Sequence, residues 1–154
     1  MNIVEVSPNN LNVYLNLAQS YEGEFSFLTK KQPNDQGLFE LDTPIEPPVR
    51  GYILYVAATP AGIAAIKEKQ SHDYEVCEFY VVPSFRSGSL GEKFAHAIWD
   101  KHPGRWEIKQ IEGAQYATKF WHKVISRYTH EDFVEDEFLD PYWGRVCRQR
   151  FVTG

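Results

Sequence analysis

Two cysteines in 154 residues, Cys77 and Cys147, are too few and too far apart for a disulfide framework or a cysteine-based zinc cluster. Both read as reduced thiols. The five histidines, His72, His96, His102, His122 and His130, show no paired spacing, so no metal is expected. Positive charge is also in short supply. Sixteen Lys and Arg against 21 Asp and Glu leave a net charge of -5, which argues against nucleic acid or an anionic membrane as a partner. No apolar run is long enough to span a bilayer, and Met1-Asn2-Ile3-Val4-Glu5 lacks the basic and apolar regions of a signal peptide. A cytoplasmic location is therefore expected. The Gly/Ser-rich run Gly88-Ser89-Leu90-Gly91 lacks the Gly-Lys-Ser/Thr of a triphosphate loop and the third glycine of a dinucleotide fingerprint. It also lacks the glycine two residues before Ser89 that a nucleophile elbow needs.

What the chain does have is 43% hydrophobic residues, many of them aromatic, enough to bury the core of one domain over residues 1–154. Asn2 to Val6 alternates as a short strand, and Ser7-Pro8 resembles a helix start. Leu11, Tyr14, Leu15, Leu17, Ala18 and Tyr21 predict a helix to about residue 22, with a second short helix over Glu24 to Lys31. A short strand is expected at Leu38 to Leu41 between breaker-rich loops. Gly51 to Thr59 and Gly62 to Gln70 read as a hairpin turning at Thr59-Pro60-Ala61-Gly62, and Tyr74 to Val82 as the next strand. Helices are predicted from Leu90 to near His102 and from Ala114 to about Tyr128, with a strand between them at Arg105 to Ile111. Two strands, Phe133 to Phe138 and Trp143 to Val152, close the chain. Strands and helices are thus mixed, an α/β (α+β) pattern with an antiparallel front half.

The most informative stretch runs from Glu78 to Gly91. An apolar strand, Phe79-Tyr80-Val81-Val82, enters the turn Arg86-Ser87-Gly88-Ser89-Leu90-Gly91, which opens into an amphipathic helix. Outward backbone N–H groups and the partial positive charge of a helix N-terminus make such a junction a phosphate holder. Ser89 or Ser87 is a candidate N-cap, with Glu92 completing a capping box.

The turn resembles the signature of the GNAT superfamily of acetyl-CoA-dependent N-acyltransferases: Arg or Gln, two variable residues, Gly, one variable residue, then Gly or Ala. Arg86 and Gly91 match its ends, and Ser89 stands where the first glycine is usual. Val81 and Pro83 fit the hydrophobic-x-Pro-x-x-Arg lead-in. Ala117-Thr118-Lys119-Phe120-Trp121 resembles the family's next helix, with Ala114 at a frequent Asn position and Trp121 where Tyr is often found. Trp106-Glu107-Ile108 and Phe120-Trp121, with Tyr21-Glu22-Gly23-Glu24-Phe25-Ser26 and Gly37-Leu38-Phe39, are similar to a subgroup of acetyltransferases. The resemblance covers the whole chain. It implies a mixed, mostly antiparallel twisted sheet with helices on both faces, splayed beside the motif strand.

It also implies acetyl-CoA as co-substrate, with Arg86, Ser87, Gly88, Ser89, Leu90 and Gly91 at the pyrophosphate, Val81 and Val82 along the pantetheine arm, and Trp121 near the thiol. A backbone N–H near Val81 is the candidate oxyanion donor. For the general base the strand offers two carboxylates of opposite parity, Glu78 and Glu75. Glu78 sits in the more apolar run, where burial would raise its pKa, and is favoured; Glu75 falls where some family members keep a catalytic Glu. Tyr80, Tyr116 and Tyr128 are candidates for the general acid, and water is the alternative. The reaction expected is direct acetyl transfer to a primary amine on a small molecule or a protein. The departures at Ser89, Ala114 and Trp121 keep open an acyl-CoA-binding domain without turnover. Tyr142, Trp143 and Phe151 read as an exposed patch suited to a homodimer.

Overall fold

The structure, a computed structural model, describes residues 1–154. In chain order the elements are β1 (Asn2–Glu5), α1 (Leu11–Thr29), β2 (Val49–Val56), β3 (Thr59–Gln70), β4 (Asp73–Val81), α2 (Leu90–Lys101), β5 (Arg105–Ile111), α3 (Gln115–Thr129), β6 (Val134–Asp140) and β7 (Gly144–Val152), with a single 3-10 turn at Pro83–Phe85. The seven strands form one sheet of order β1-β2-β3-β4-β5-β7-β6. The pairs β1–β2, β2–β3, β5–β7 and β6–β7 are antiparallel. Only Asp73–Glu75 of β4 pair with Arg105–Glu107 of β5, in parallel. No helix is long and apolar enough to cross a membrane.

The chain divides into two compact units, Met1–Lys67 with Cys77–Leu90, and Glu68–Val76 with Gly91–Gly154. In the first, Tyr14 and Ala18 of α1 pack with Ile53 of β2, Ile63 and Ala65 of β3 and Tyr80 of β4. Tyr14 and Ala18 are one helical turn apart, and Tyr21 and Glu22 continue the stripe. The predicted break between two helices is absent, and α1 runs unbroken for 19 residues. Gly23 costs the helix about 1 kcal/mol relative to alanine. The ring contact Tyr21–Phe25, at 5.1 Å, spans that position, and Tyr21–Tyr80, at 5.8 Å, holds the helix onto β4. Ser7-Pro8 lies ahead of the helix. Asn10 precedes Leu11, and its Oδ1 accepts the Ser7 N–H at 2.7 Å. The strand predicted at Leu38 to Leu41 does not form. There the Gln19 amide does a strand's work, donating to the Phe39 carbonyl at 2.9 Å and accepting the Phe39 N–H at 2.8 Å. The β2–β3 turn falls at Ala57-Ala58, with Ala57 at φ 54, because Thr59 already pairs with Val56.

In the second unit the β5–β7 ladder runs from Arg105↔Val152 to Ile111↔Val146. Trp99 of α2 is the centre of its core, with ring contacts to Phe151 at 4.9 Å, Tyr128 at 5.0 Å, Trp121 at 6.3 Å and Trp106 at 6.5 Å. Phe151, read as part of an exposed patch, is only 5% exposed, because strand alternation turns it onto Trp99. Tyr142, at 72%, and Trp143 remain exposed. Gly104 is required where it stands, since a Cβ there would collide with the His72 carbonyl.

Candidate active site

The turn after β4 has a backbone few side chains tolerate. Gly88 and Ser89 both adopt positive φ, 72° and 64°, immediately before α2. The two left-handed residues bring the chain round to the N-terminus of α2, where unpaired N–H groups and the helix dipole favour an anion. Nothing lies within 4 Å of where a Cβ on Gly88 would sit, so the turn is open on that side. Ser89 takes up a left-handed conformation that favours glycine. That rules out the predicted capping box, because an N-cap residue is usually extended. Glu92 instead accepts a bond from Arg127 at 2.9 Å.

Arg86 organises the approach to this turn. Its Nε donates to the Val81 carbonyl at 2.8 Å, and one terminal nitrogen donates to both Glu24 oxygens, at 3.0 and 2.9 Å. Its guanidinium lies 5.5 Å from the centre of the Tyr80 ring. The Val82 N–H donates to the Ala61 carbonyl at 2.8 Å and the Val82 carbonyl accepts the Phe85 N–H at 2.8 Å, so both backbone groups of that residue are engaged within the protein. Backbone groups alternate along a strand, and the Val81 N–H therefore points away from β3.

Glu78 is the most perturbed carboxyl in the chain. It is 4% exposed, and the Tyr14 hydroxyl donates to its Oε2 at 2.9 Å. Burial pushes its pKa up to about 7. Hydrogen bonds from Tyr14 and Thr43 oppose that rise, and the carboxylates of Glu22 and Asp42 add to it. The Tyr14 phenol is driven far above its ordinary range by burial and then by Glu78, so it stays a donor. Tyr21 is raised in the same way. Beside this group Glu22, 3% exposed, pairs with the Lys31 ammonium at 2.7 Å, and Lys31 also reaches Asp42 at 2.8 Å and the Glu40 carbonyl at 3.0 Å.

Glu75 lies in different surroundings, paired with Lys109 at 3.2 Å. Lys109 also binds Asp140 at 2.7 Å, which holds the Asp140 carboxyl down at about 2. The Tyr128 hydroxyl donates to Asp100 at 2.6 Å, and its pKa is pushed up to about 12 by burial and by that bond. Tyr116 is exposed, Tyr80 is buried against Tyr21, and Trp121 is buried with its ring against Trp99 and Phe120. The structure thus joins Glu78, Tyr80, Val81 and the Arg86–Leu90 turn in one unit, with Glu75, Tyr128 and Trp121 in the other.

Sequence reasoning missed Tyr14, Thr43, Glu22 and Asp42 as neighbours of Glu78, and Lys31 as the partner of the last two. Tyr14 did carry a signal, as an aromatic with a polar tip on the buried stripe of α1 that needs an acceptor.

This architecture is the fold of the GNAT acetyltransferases. A protein from Bacteroides thetaiotaomicron described as a GNAT-family acetyltransferase superposes with a TM-score of 0.66 at 14% identity, over 100% of this chain and 88% of that one. A Bacillus subtilis acetyltransferase solved with CoA gives 0.60 at 11% identity, over 99% of each chain. A Bacillus anthracis str. Ames protein described as a streptothricin acetyltransferase, solved with acetyl coenzyme A, gives 0.58 at 12% identity, over 100% of both. No family model matches the sequence, and no curated protein does.

Proposed function

We propose that this chain is a cytoplasmic, single-domain N-acetyltransferase that moves an acetyl group from acetyl-CoA directly to a primary amine. One observation carries the proposal: β4 bears a buried carboxyl that titrates near 7 and runs straight into a left-handed turn at a helix N-terminus. The open turn from Arg86 to Gly91 fits a pyrophosphate, and the Val81 N–H is the donor proposed for the thioester oxygen. Bound there, acetyl-CoA supplies an activated acetyl group.

Glu78 does the proton work. The amine arrives as an ammonium, and Glu78, ionised in about half the molecules near neutrality, takes one proton from it directly or through a water. The nitrogen lone pair then forms the N–C bond as the C–S bond breaks. The second nitrogen proton passes through water to the departing thiolate, giving amide and free thiol. Tyr14 and Thr43 hold the Glu78 carboxyl in place throughout. Glu75, paired with Lys109, is the alternative base.

The test combines a thermal shift with acetyl-CoA and thiol release across a panel of primary amines. Both are expected. A second reading, an acyl-CoA-binding domain without turnover, draws on the commitment of the Tyr128 hydroxyl to Asp100 and the burial of Trp121. It predicts the thermal shift alone.

A further inference from the structure

The segment between α1 and β2 is strapped back onto α1. Gln19 holds the Phe39 backbone on both sides, and Lys31 ties Glu22 of α1 to Asp42 and to the Glu40 carbonyl. The same segment delivers Thr43 to Glu78. The charged and titratable groups acting in this cluster are Tyr14, Tyr21 and Glu22 from α1, Lys31 and Asp42 from the segment after it, and Cys77 from β4. Lys31 is the cation of this group. Its three N–H donors have three acceptors at 2.7 to 3.0 Å, so the ammonium is saturated within the protein. Burial works against its charge, but the bonds to Asp42 and Glu22 outweigh burial and keep it protonated.

We propose that Lys31 is a positioning residue of the acyl-transfer centre: it pins the Asp42-Thr43 segment at Glu78 and offsets part of the field of Glu22 and Asp42 at that carboxyl. The inference rests on the reading of Glu78 as the base. With Lys31, the three charges sum to one negative charge; without it, two uncompensated carboxylates face a third, and like charges disfavour ionisation. A purely mechanical strap acts in the opposite direction. Releasing it admits water to Glu78, and water favours the ionised form.

The two effects separate in a titration of the full chain labelled with carbon-13 at the glutamate carboxyls, with the Glu78 signal assigned by its loss in Glu78→Gln. The wild-type midpoint is expected near 7. Lys31→Met raises it by about one unit. Lys31→Arg leaves it in place, and Asp42→Asn lowers it. Should Lys31→Met fail to fold, Lys31→Gln, which keeps an N–H donor for Glu22, tests the same upward shift. A midpoint that stays or falls on removal of the Lys31 charge overturns the inference. Thiol release with the amine panel separates this from the underlying reading. If Glu78→Gln turns over like wild type, Glu78 is not the base, whatever the titration shows. If Glu78→Gln is slow and the Lys31 variants titrate as wild type, only the role of Lys31 fails.

Discussion

Glu78 carries both the catalytic proposal and a stability signature. Its folded pKa lies near 7 against an ordinary value of 4.5, so between these values the folded state holds more protons than the unfolded one. Its contribution is fully present below about 4.5 and is lost as pH rises through about 7, an effect on the order of 3 kcal/mol. Glu78→Gln should flatten that slope in urea unfolding across this range. The same variant should slow turnover about 10²–10⁴-fold at neutral pH and leave acetyl-CoA affinity nearly unchanged. The deficit should shrink as pH rises and the amine becomes neutral without help. If Glu75→Gln is slow while Glu78→Gln is not, the choice of carboxylate is wrong. Ser89 offers a prediction of another kind. A side chain at φ 64 costs about 1 kcal/mol that glycine does not. Ser89→Gly is therefore expected to raise the urea midpoint without changing its slope. A lower midpoint would show that the hydroxyl, not the backbone, matters there.

Among the elements, the β4–α2 junction was the most legible in the sequence. Strand, turn and helix are consecutive there, so period and turn chemistry act over a few residues. Even so, the capping-box assignment failed, because it assumed an extended Ser89. The continuity of α1 was hidden, since Gly23 is a local breaker overridden by the Tyr21 ring contacts, which no local pattern shows. The Ala57-Ala58 turn was missed because Thr59-Pro60-Ala61-Gly62 is the stronger turn sequence, yet Pro60 is accommodated opposite Tyr55 beside the register shift in β2. The surroundings of Glu78 were illegible for a simpler reason: Tyr14, Glu22 and Thr43 come from far along the chain. The pair between Glu24 of α1 and Arg86 of the turn belongs to this scale as well. It is partly exposed, so Glu24→Gln should cost less than about 1 kcal/mol of stability. Loosening the turn should nevertheless weaken acetyl-CoA binding several-fold by calorimetry. Unchanged affinity would mean that the backbone holds the turn without Arg86.

For the whole molecule, the mixed α/β fold class was legible in the order of strand and helix periods, whereas the fate of Phe151 depended on Trp99, far from it in sequence. The proposed binding of acetyl-CoA predicts a gain in stability. A ligand at a hundredfold excess over its dissociation constant adds roughly 2.7 kcal/mol, which for a chain of this size raises Tm by about 5–10 °C. The most direct measurement of the central claim is thiol release from acetyl-CoA in the presence of a panel of primary amines at neutral pH, with the acetylated amine counted by mass spectrometry. The account predicts saturable release with one amide formed per thiol, strongly reduced in Glu78→Gln. No release above the amine-free background, alongside a rise in Tm with acetyl-CoA, would contradict it and leave a domain that binds the cofactor without using it.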